Sequence, residues 1–300
     1  MSFFLTLVAS EKQLTPGHLA RVQKYLDSQG IAPAGIANWL SPHHAAELPV
    51  ATRPHFMQMQ AIRRGLEEDR IDVLASAAEN RKKTFLFADM DSTVVTSETL
   101  DELAVRAGVG EQVAEITRGT MNGTIDFLGA LNMRVAMLKG LPEETLKDVL
   151  QQTIISSGVE ITIKVMQKRG AHTVIVSGGF TYFTGAIASR CGFDDHFGNI
   201  LEIENGKLTG RVLEPILDKN AKQAILKTKV EQFGCDPVQA LAIGDGSNDI
   251  PMLQTAGLGI AYHPRPLVAE TIDNQIVHSD FTALLYTQGY TDSDIQSVMN

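Results

Sequence analysis

Two aspartates, Asp89 and Asp91, stand one residue apart directly after the apolar run Phe85–Ala88. A short apolar run of this kind predicts a buried strand, so both carboxylates enter the loop at its end. Two anions this close repel each other, and neither is stable in an apolar interior without a proton or a cation. Carboxylate oxygens are hard ligands that suit a divalent metal ion. The pair therefore predicts a metal-dependent site.

A second acidic group, Asp245 and Asp249, follows another apolar run at residues 240–244. These carboxylates would complete the oxygen shell of the metal, with water and a phosphate filling the other positions. Asp89 could then attack phosphorus to form an aspartyl-phosphate, while Asp91 protonates the leaving alkoxide and later deprotonates water. An Asp-x-Asp pair alone is equally typical of a turn or a helix cap. Together, the two acidic groups favour phosphoryl transfer.

A phosphate cradle is predicted at Ser177, Gly178 and Gly179. Glycines let backbone N–H groups approach an anion closely, and the serine adds a hydroxyl donor. Alone, the motif is also typical of an ordinary Gly-Gly turn. Lys222 could supply a point charge to the phosphate. The residues by themselves do not select this lysine over the others of the same predicted helix.

Short apolar strands alternate with helices beyond about residue 84, which predicts an α/β fold with a parallel sheet covered on both faces. The strands at 84–89, 172–177 and 240–244 each end in one of the polar groups above. Ligands of such sheets bind at the carboxyl ends of the strands, so neighbouring strands would bring all three groups into one crevice. The other predicted elements are helices at 97–107, 146–156, 161–168, 181–191 and 219–233, a strand at 258–262 and a hairpin at 201–212.

A polar run at residues 79–83 separates an N-terminal segment from this α/β part. The segment is expected to be a small α+β domain, with a strand at 3–8, a helix at 16–28 and an extended stretch at 31–40. A second, amphipathic helix is predicted over 61–77, with an apolar stripe that runs from Ile62 to Leu74. We therefore predict two domains, at 1–82 and 83–300.

The composition argues against several classes of protein. The chain has 300 residues and a formal net charge of −9, which disfavours nucleic-acid binding because such proteins present a basic face. Its apolar stretches are too short to cross a membrane, and the apolar start is expected to be a strand rather than a signal peptide. The cysteines, Cys191 and Cys235, are expected to be reduced thiols of a cytoplasmic protein.

Three segments, at 89–93 (DMDST), 177–179 (SGG) and 244–249 (GDGSND), resemble the motifs of the haloacid dehalogenase (HAD) superfamily, as does Lys222 between the last two. With Glu98 at its spacing from the first motif, the chain is most similar to the phosphoserine phosphatase family. The resemblance covers about residue 84 to the C-terminus. It implies a Rossmann-like core, a helical cap inserted at about 97–157 and dependence on Mg²⁺.

The resemblance also implies a role for each core residue. Asp89 resembles the nucleophile and a metal ligand, and Asp91 the acid and base that binds the metal through its backbone carbonyl. Asp245 resembles the other metal ligand, and Asp249 supports a metal-bound water and the lysine. The implied phosphate binders are Ser177, Gly178 and Lys222, with Asn248 and Gly179 nearby.

The cap would carry the residues that recognise the substrate. Glu98 resembles the residue that faces the substrate ammonium, and Arg134 the one that faces its carboxylate, for which arginine is the better bidentate partner. Met121 and Phe127 resemble an apolar lid. Without the resemblance, Glu98 is better explained as an acid in the first turn of a helix and Arg134 as a surface residue.

The implied activity is the hydrolysis of O-phosphoserine to serine, the last step of serine biosynthesis. One alternative is a phosphotransferase that passes the phosphoryl group to homoserine or another alcohol. An alternative of another class is an amino-acid-sensing regulatory protein, which the intact aspartate set disfavours. The N-terminal segment is compatible with the ACT-type domains of bacterial relatives, serving to form a homodimer or as a brace.

Overall fold

Two β-sheets divide the chain in the computed structural model, which describes residues 2–121 and 125–299 without the side chains of 120, 121, 127 and 219. The first sheet is antiparallel and has four strands in the order β2-β3-β1-β4. Its two helices complete a β-α-β-β-α-β order, which is typical of ferredoxin-like folds. The elements are β1 (Phe3–Ala9), α1 (Pro16–Ser28), β2 (Asn38–Ser41), β3 (Ala45–Val50), α2 (Phe56–Leu66) and β4 (Ile71–Ala77).

The helix predicted over 61–77 is correct for residues 61–66 and wrong for the residues beyond them. Helix α2 ends at Leu66, and Arg70 takes a left-handed conformation (φ 52°) before β4 begins at Ile71. The first six residues of β4 are all buried, because the strand pairs with β1 along one edge and is covered along the other. A run buried on both faces suits a strand rather than an amphipathic helix. The predicted extended stretch at 31–40 is a strand only from Asn38 onwards.

The second sheet has seven strands in the order β11-β10-β9-β5-β6-β7-β8. All neighbouring strands are parallel except β7 and β8, which form the predicted hairpin. This sheet and the small antiparallel one confirm the predicted fold class. The strands are β5 (Phe85–Ala88), β6 (His172–Phe180), β7 (Asp195–Glu204), β8 (Lys207–Leu213), β9 (Ala240–Gly244), β10 (Leu258–Tyr262) and β11 (Gln275–Ile276).

The central strand β5 shows why its sequence is apolar throughout. Phe85 and Phe87 pack into the core on one face of the sheet, and Leu86 and Ala88 pack into the core on the other. A strand covered on both faces has no position for a polar side chain until it ends. The first polar residue, Asp89, therefore stands at the carboxyl edge of the sheet.

Helices cover both faces of the second sheet, and no helix in the described ranges is long and apolar enough to cross a bilayer. A group of helices is inserted between β5 and β6, and Val95 pairs with Ile155 in an antiparallel bridge where this insert leaves and rejoins the core. The helices are α3 (Thr99–Arg106), α4 (Gly110–Met121), α5 (Phe127–Ala136), α6 (Glu144–Gln152), α7 (Val159–Lys168), α8 (Thr181–Cys191), α9 (Lys219–Gln232), α10 (Ile250–Thr255), α11 (Pro266–Ala269), α12 (Ala283–Thr287) and α13 (Asp292–Met299).

The edge strand β4 joins the first sheet to the segment that follows α11. The side-chain amide of Asn274 bonds both backbone groups of Ala75, accepting from its N–H (2.7 Å) and donating to its carbonyl (3.0 Å). The buried carboxylate of Asp72 accepts hydrogen bonds from three successive backbone N–H groups, at residues 277–279. The contacts at Ala75 satisfy backbone groups that a free sheet edge would leave unpaired.

Candidate active site

Strands β9, β5 and β6 are adjacent in the sheet, so the three polar groups at or near their carboxyl ends meet in one cleft. The cleft has a volume of about 220 Å³. Its polar lining includes Asp89, Asp91, Glu98, Asp101, Thr117, Arg134, Ser177, Gly178, Gly179, Asp245, Gly246, Ser247, Asn248 and Arg265.

Lys222 lies between two buried carboxylates. Its Nζ is 2.9 Å from Oδ1 of Asp89 and 2.5 Å from Oδ1 of Asp249, and the lysine side chain is only 2% exposed. Although burial works against the charged form, the two carboxylates raise the pKa of Lys222 above its usual range. The N-cap of α9, Asp218, accepts hydrogen bonds from two backbone N–H groups and fixes the first turn that carries the lysine. The site therefore holds a fixed positive charge beside Asp89.

The carboxylates of Asp89, Asp245 and Asp249 form a buried cluster in which one oxygen of each lies within 4.8 Å of the others. Burial, followed by the charges of Asp89 and Glu98, raises the pKa of Asp245 to about 6. Three hard oxygen donors in so small a space fit a divalent cation such as Mg²⁺, which would relieve their mutual repulsion. The carboxylate oxygens of the cluster are therefore chemically suited to bind a divalent metal ion.

Asp91 has a different environment from Asp89, two residues before it. Its carboxylate accepts hydrogen bonds from the backbone N–H (3.0 Å) and the hydroxyl (3.3 Å) of Thr99. Burial, with a further contribution from Glu98, raises the pKa of Asp91 well above its usual value. A protonated Asp91 could act as a general acid. A Cβ on Gly179 would lie 2.7 Å from Oδ2 of Asp91, so the close approach of the loop requires glycine.

The Ser177-Gly178-Gly179 loop is an irregularity within β6 rather than the end of the strand. The pairing of β6 with β7 is regular up to Val176 and resumes at Phe180. Within the loop, Ser177 Oγ accepts a hydrogen bond from the N–H of Gly179 (2.9 Å). The carbonyl of Gly178 accepts one from the buried Asn199 (2.8 Å), a supporting residue that the sequence did not indicate. The loop is thus held in one shape at the wall of the cleft.

Glu98 and Arg134 both line the opposite, cap side of the cleft. Glu98 precedes α3 and accepts a hydrogen bond from the hydroxyl of Ser92 (2.8 Å). Arg134, on α5, is half-buried, and burial lowers the pKa of its guanidinium despite the nearby carboxylates of Asp101 and Glu98. One acidic and one basic side chain therefore face the same space on the cap side of the cleft.

The predicted apolar lid is only partly described. The side chains of Met121 and Phe127 lie outside the described residues, so their role stays a prediction. Leu100 and Leu131 supply apolar surface on the cap side, and Phe180 supplies it on the core side. None of these three residues belongs to the motifs that predicted the site.

Arg265 is a charged residue of the cleft that the sequence analysis missed. Its Nη2 lies 2.6 Å from Oε1 of Glu98, and its Nε lies 3.2 Å from Oδ2 of Asp245. Although burial opposes the charged form, these two carboxylates raise the pKa of Arg265. Its position three residues after β10, the neighbour of β9, is the signal that could have drawn attention to it.

The chain is similar to proteins of known family. The sequence profile of the haloacid dehalogenase-like hydrolases matches residues 86–254. A phosphoserine phosphatase of Archaeoglobus fulgidus is 38% identical over 225 residues, which are 74% of this chain and 65% of that protein. This chain therefore spans slightly less than two thirds of that relative. A phosphoserine phosphatase of Mycobacterium tuberculosis is 38% identical over 302 residues, which cover 97% of this chain and 73% of that protein.

The fold is also found among solved structures. A HAD family hydrolase from Salmonella enterica serovar Typhi superposes with a TM-score of 0.80 at 28% identity. The superposition covers 96% of this chain and 98% of the other, so it includes both sheets. The sequence profile and the relatives agree with the arrangement of the cleft, and the chain belongs to the haloacid dehalogenase-like hydrolase family.

Proposed function

We propose that this protein hydrolyses O-phosphoserine to serine and inorganic phosphate, as the last step of serine biosynthesis. The observation that carries the proposal is the distribution of charge in the cleft. Asp89 and Lys222 lie at the core end, where a phosphate would bind, while Glu98 and Arg134 face the cleft from the cap. O-phosphoserine carries a phosphate, an ammonium and a carboxylate, and this arrangement offers a partner of opposite charge to each of the last two.

In the first step, a carboxylate oxygen of Asp89 attacks phosphorus and the bond from phosphorus to the serine oxygen breaks. The backbone N–H of Met90 (2.7 Å) and Nζ of Lys222 (2.9 Å) both hold Oδ1 of Asp89, which fixes the orientation of the carboxylate. Asp91, whose pKa is raised by burial, gives its proton to the departing serine alkoxide. The products of this step are serine and an aspartyl-phosphate on Asp89.

In the second step, water attacks the phosphorus of the aspartyl-phosphate. Asp91, now deprotonated, takes a proton from this water, and the bond from phosphorus to Asp89 breaks. Inorganic phosphate leaves, and both aspartates return to their starting protonation states. Lys222, Ser177 and the backbone of the loop at Gly178 are proposed to bind the phosphoryl oxygens throughout, because charged and N–H donors stabilise the charge in the transition state.

We propose Mg²⁺ as the metal, held by Asp89, Asp245 and the backbone carbonyl of Asp91, with Asp249 in a supporting position. The three hard carboxylate oxygens of the buried cluster support this choice. When bound, the ion would offset the charge of the phosphate as an anionic nucleophile approaches it. The chain's own contribution is to keep these ligands buried and close together.

The cap is proposed to select the substrate. Glu98 would bind the ammonium, and Arg134 would bind the carboxylate through its planar fork of donors. Leu100, Leu131 and Phe180 would cover the carbon atoms, together with the predicted lid. A phosphate ester without the amino-acid group would keep the core contacts and lose those with the cap.

We further propose a cytoplasmic homodimer. The thiols of Cys191 and Cys235 are both free, as is usual in a reducing compartment. Strand β2 lies at the edge of the first sheet, and an edge strand is a surface through which a second copy can pair. Light scattering of the purified protein would measure its mass in solution directly.

The activity is tested by measuring phosphate release from O-phosphoserine, with water as the only acceptor and then with added homoserine. We expect one phosphate per serine formed, no phosphohomoserine, loss of activity in EDTA and recovery with Mg²⁺. Formation of phosphohomoserine at the expense of free phosphate would instead make the protein a phosphotransferase. Binding of serine without any turnover would indicate the regulatory alternative. Full activity after exhaustive chelation would overturn the metal assignment.

A further inference from the structure

Arg265 joins the cap to the core through two carboxylates that the proposed reaction needs for other partners. Its guanidinium contacts Glu98, proposed for the substrate ammonium, and Asp245, proposed for the metal. The planar fork of an arginine suits this double contact, since Nη2 and Nε point to separate oxygens. Both contacts use oxygens that a bound cation would approach.

The site has too few positive charges for its acids while metal and substrate are absent. Lys222 is engaged by Asp89 and Asp249, so it does not neutralise Asp245 or Glu98. Arg265 contacts both of these carboxylates, and the side chains of all three residues are about one third exposed or less. Partly buried carboxylates without a counter-ion would raise the free energy of the folded state.

We propose that Arg265 is a positioning residue that serves as an internal substitute cation. It holds Glu98 and Asp245 in the empty site and releases them when the metal and the substrate ammonium bind. The identity of these two cations rests on the proposed function. Arg265 thus competes with the metal and with the substrate ammonium. Its release frees Glu98 on the cap side and Asp245 on the core side of the cleft together.

The surroundings of Arg265 allow its side chain to move while its backbone stays in place. Its backbone N–H donates to the carbonyl of Asp245 (3.1 Å), and helix α11 begins at the next residue. A second cavity, of about 410 Å³, is lined by Arg265 and Asp245. Tyr262, His263 and Ser156 also contribute to its wall. This cavity offers a polar space that can receive a displaced guanidinium.

The test is a calorimetric titration of the metal-free protein with Mg²⁺, followed by a titration of the Mg²⁺-loaded protein with serine. Arg265→Met keeps the length of the side chain and removes its charge, and Arg265→Lys keeps the charge without the fork. Arg106→Ala is the matched control, because Arg106 pairs with Glu102 within α3 on the cap. Circular dichroism and thermal melting establish that each variant is folded.

We expect Arg265→Met to bind Mg²⁺ about tenfold more tightly than the unchanged protein, since one competing charge is gone. Arg265→Lys should lie between the two, Arg106→Ala should not differ, and serine should bind more tightly to Arg265→Met. Equal or weaker Mg²⁺ binding by Arg265→Met would overturn the proposal. A lysine variant that binds Mg²⁺ as tightly as Arg265→Met would also overturn it, because a positive charge kept at this position would then not compete with the ion.

Failure of the proposed function gives a different result. If the unchanged protein and every variant bind no Mg²⁺, the metal assignment falls, and the competing role of Arg265 falls with it. If Mg²⁺ binds normally but Arg265→Met changes neither titration, only the role of Arg265 is overturned.

Discussion

The ammonium of Lys222 lies 2.9 Å from Oδ1 of Asp89, within a site where both side chains are buried. The same Nζ contacts Asp249 at 2.5 Å, so one charge orients the proposed nucleophile and stabilises a second acid. An anionic substrate approaching Asp89 would meet this charge at the point of attack. The position of one lysine therefore links the stability of the core to the chemistry of the cleft.

Replacing Lys222 with methionine should destabilise the metal-free protein by about 3–5 kcal/mol, because two buried carboxylates lose their counter-ion. Urea unfolding measures the change. Lys229→Met is the matched control on the same helix, since Lys229 pairs with a more exposed carboxylate, Asp195, at 2.8 Å. That control should lose about 1 kcal/mol or less. Similar losses in the two variants would show that the buried pairs do not contribute as inferred.

Asp89→Asn should lower kcat for O-phosphoserine by at least about a thousandfold, because the amide cannot act as the attacking carboxylate. The fold should persist, since the substitution keeps the shape of the side chain and removes one of several repelling charges. Phosphate release and circular dichroism on one sample test both statements. Substantial turnover by protein free of unchanged enzyme would remove Asp89 from the role of nucleophile.

Arg134→Ala should reduce kcat/KM for O-phosphoserine by about 10- to 100-fold, the effect of losing a charged hydrogen bond. Hydrolysis of p-nitrophenyl phosphate, which has no carboxylate, should change by less than about threefold. Arg106→Ala, also on the cap, should leave both substrates unaffected. A parallel loss with the two substrates would mean that Arg134 supports the structure of the cap rather than the recognition of substrate.

Asp245 should make the metal-free protein less stable as the pH rises. Burial, with Asp89 and Glu98, raises its pKa from 3.8 to about 6, so the folded state binds a proton that the unfolded state has lost. This contribution is fully present below pH 3.8 and is lost as the pH rises through about 6.

The difference in unfolding free energy between the unchanged protein and Asp245→Asn, measured in EDTA from pH 4 to pH 7, isolates this contribution. The difference should move in favour of Asp245→Asn as the pH rises, because the asparagine has no charge to bury. Adding Mg²⁺ at pH 7 should restore the unfolding free energy of the unchanged protein and leave that of Asp245→Asn unaffected. A difference that does not vary with pH would show that Asp245 titrates normally.

The arrangement of the core could be predicted because it depends on local patterns. Apolar runs that end in acids at Asp89 and Asp245 indicate strands with polar carboxyl ends, and the parallel sheet makes those ends meet. Lys222 could be chosen only through the family resemblance. Its burial depends on the packing of α9 against the site, which the composition of that helix does not reveal.

Two features of the structure were not predicted from the sequence, because they depend on tertiary contacts. The segment at 61–77 has a helical spacing of apolar residues, but the pairing of β4 with β1 and with Asn274 determines the conformation of its second part, residues 71–77. Arg265 lies 167 residues from Glu98 in sequence, and no local pattern relates the two. Contacts between residues this far apart in the sequence can be identified only from the folded structure.

The bridge between Val95 and Ile155 has a consequence for how this enzyme could acquire new specificity. Glu98 and Arg134 belong to the loop of chain that leaves and returns at this narrow stem, whereas Asp89, Lys222 and Asp245 do not. Whatever lies beyond the stem could be exchanged during evolution, or in the laboratory, without shifting the register of the central strands. With the proposed function, the choice of substrate and the breaking of its ester bond would thus reside in separately replaceable parts of one gene product.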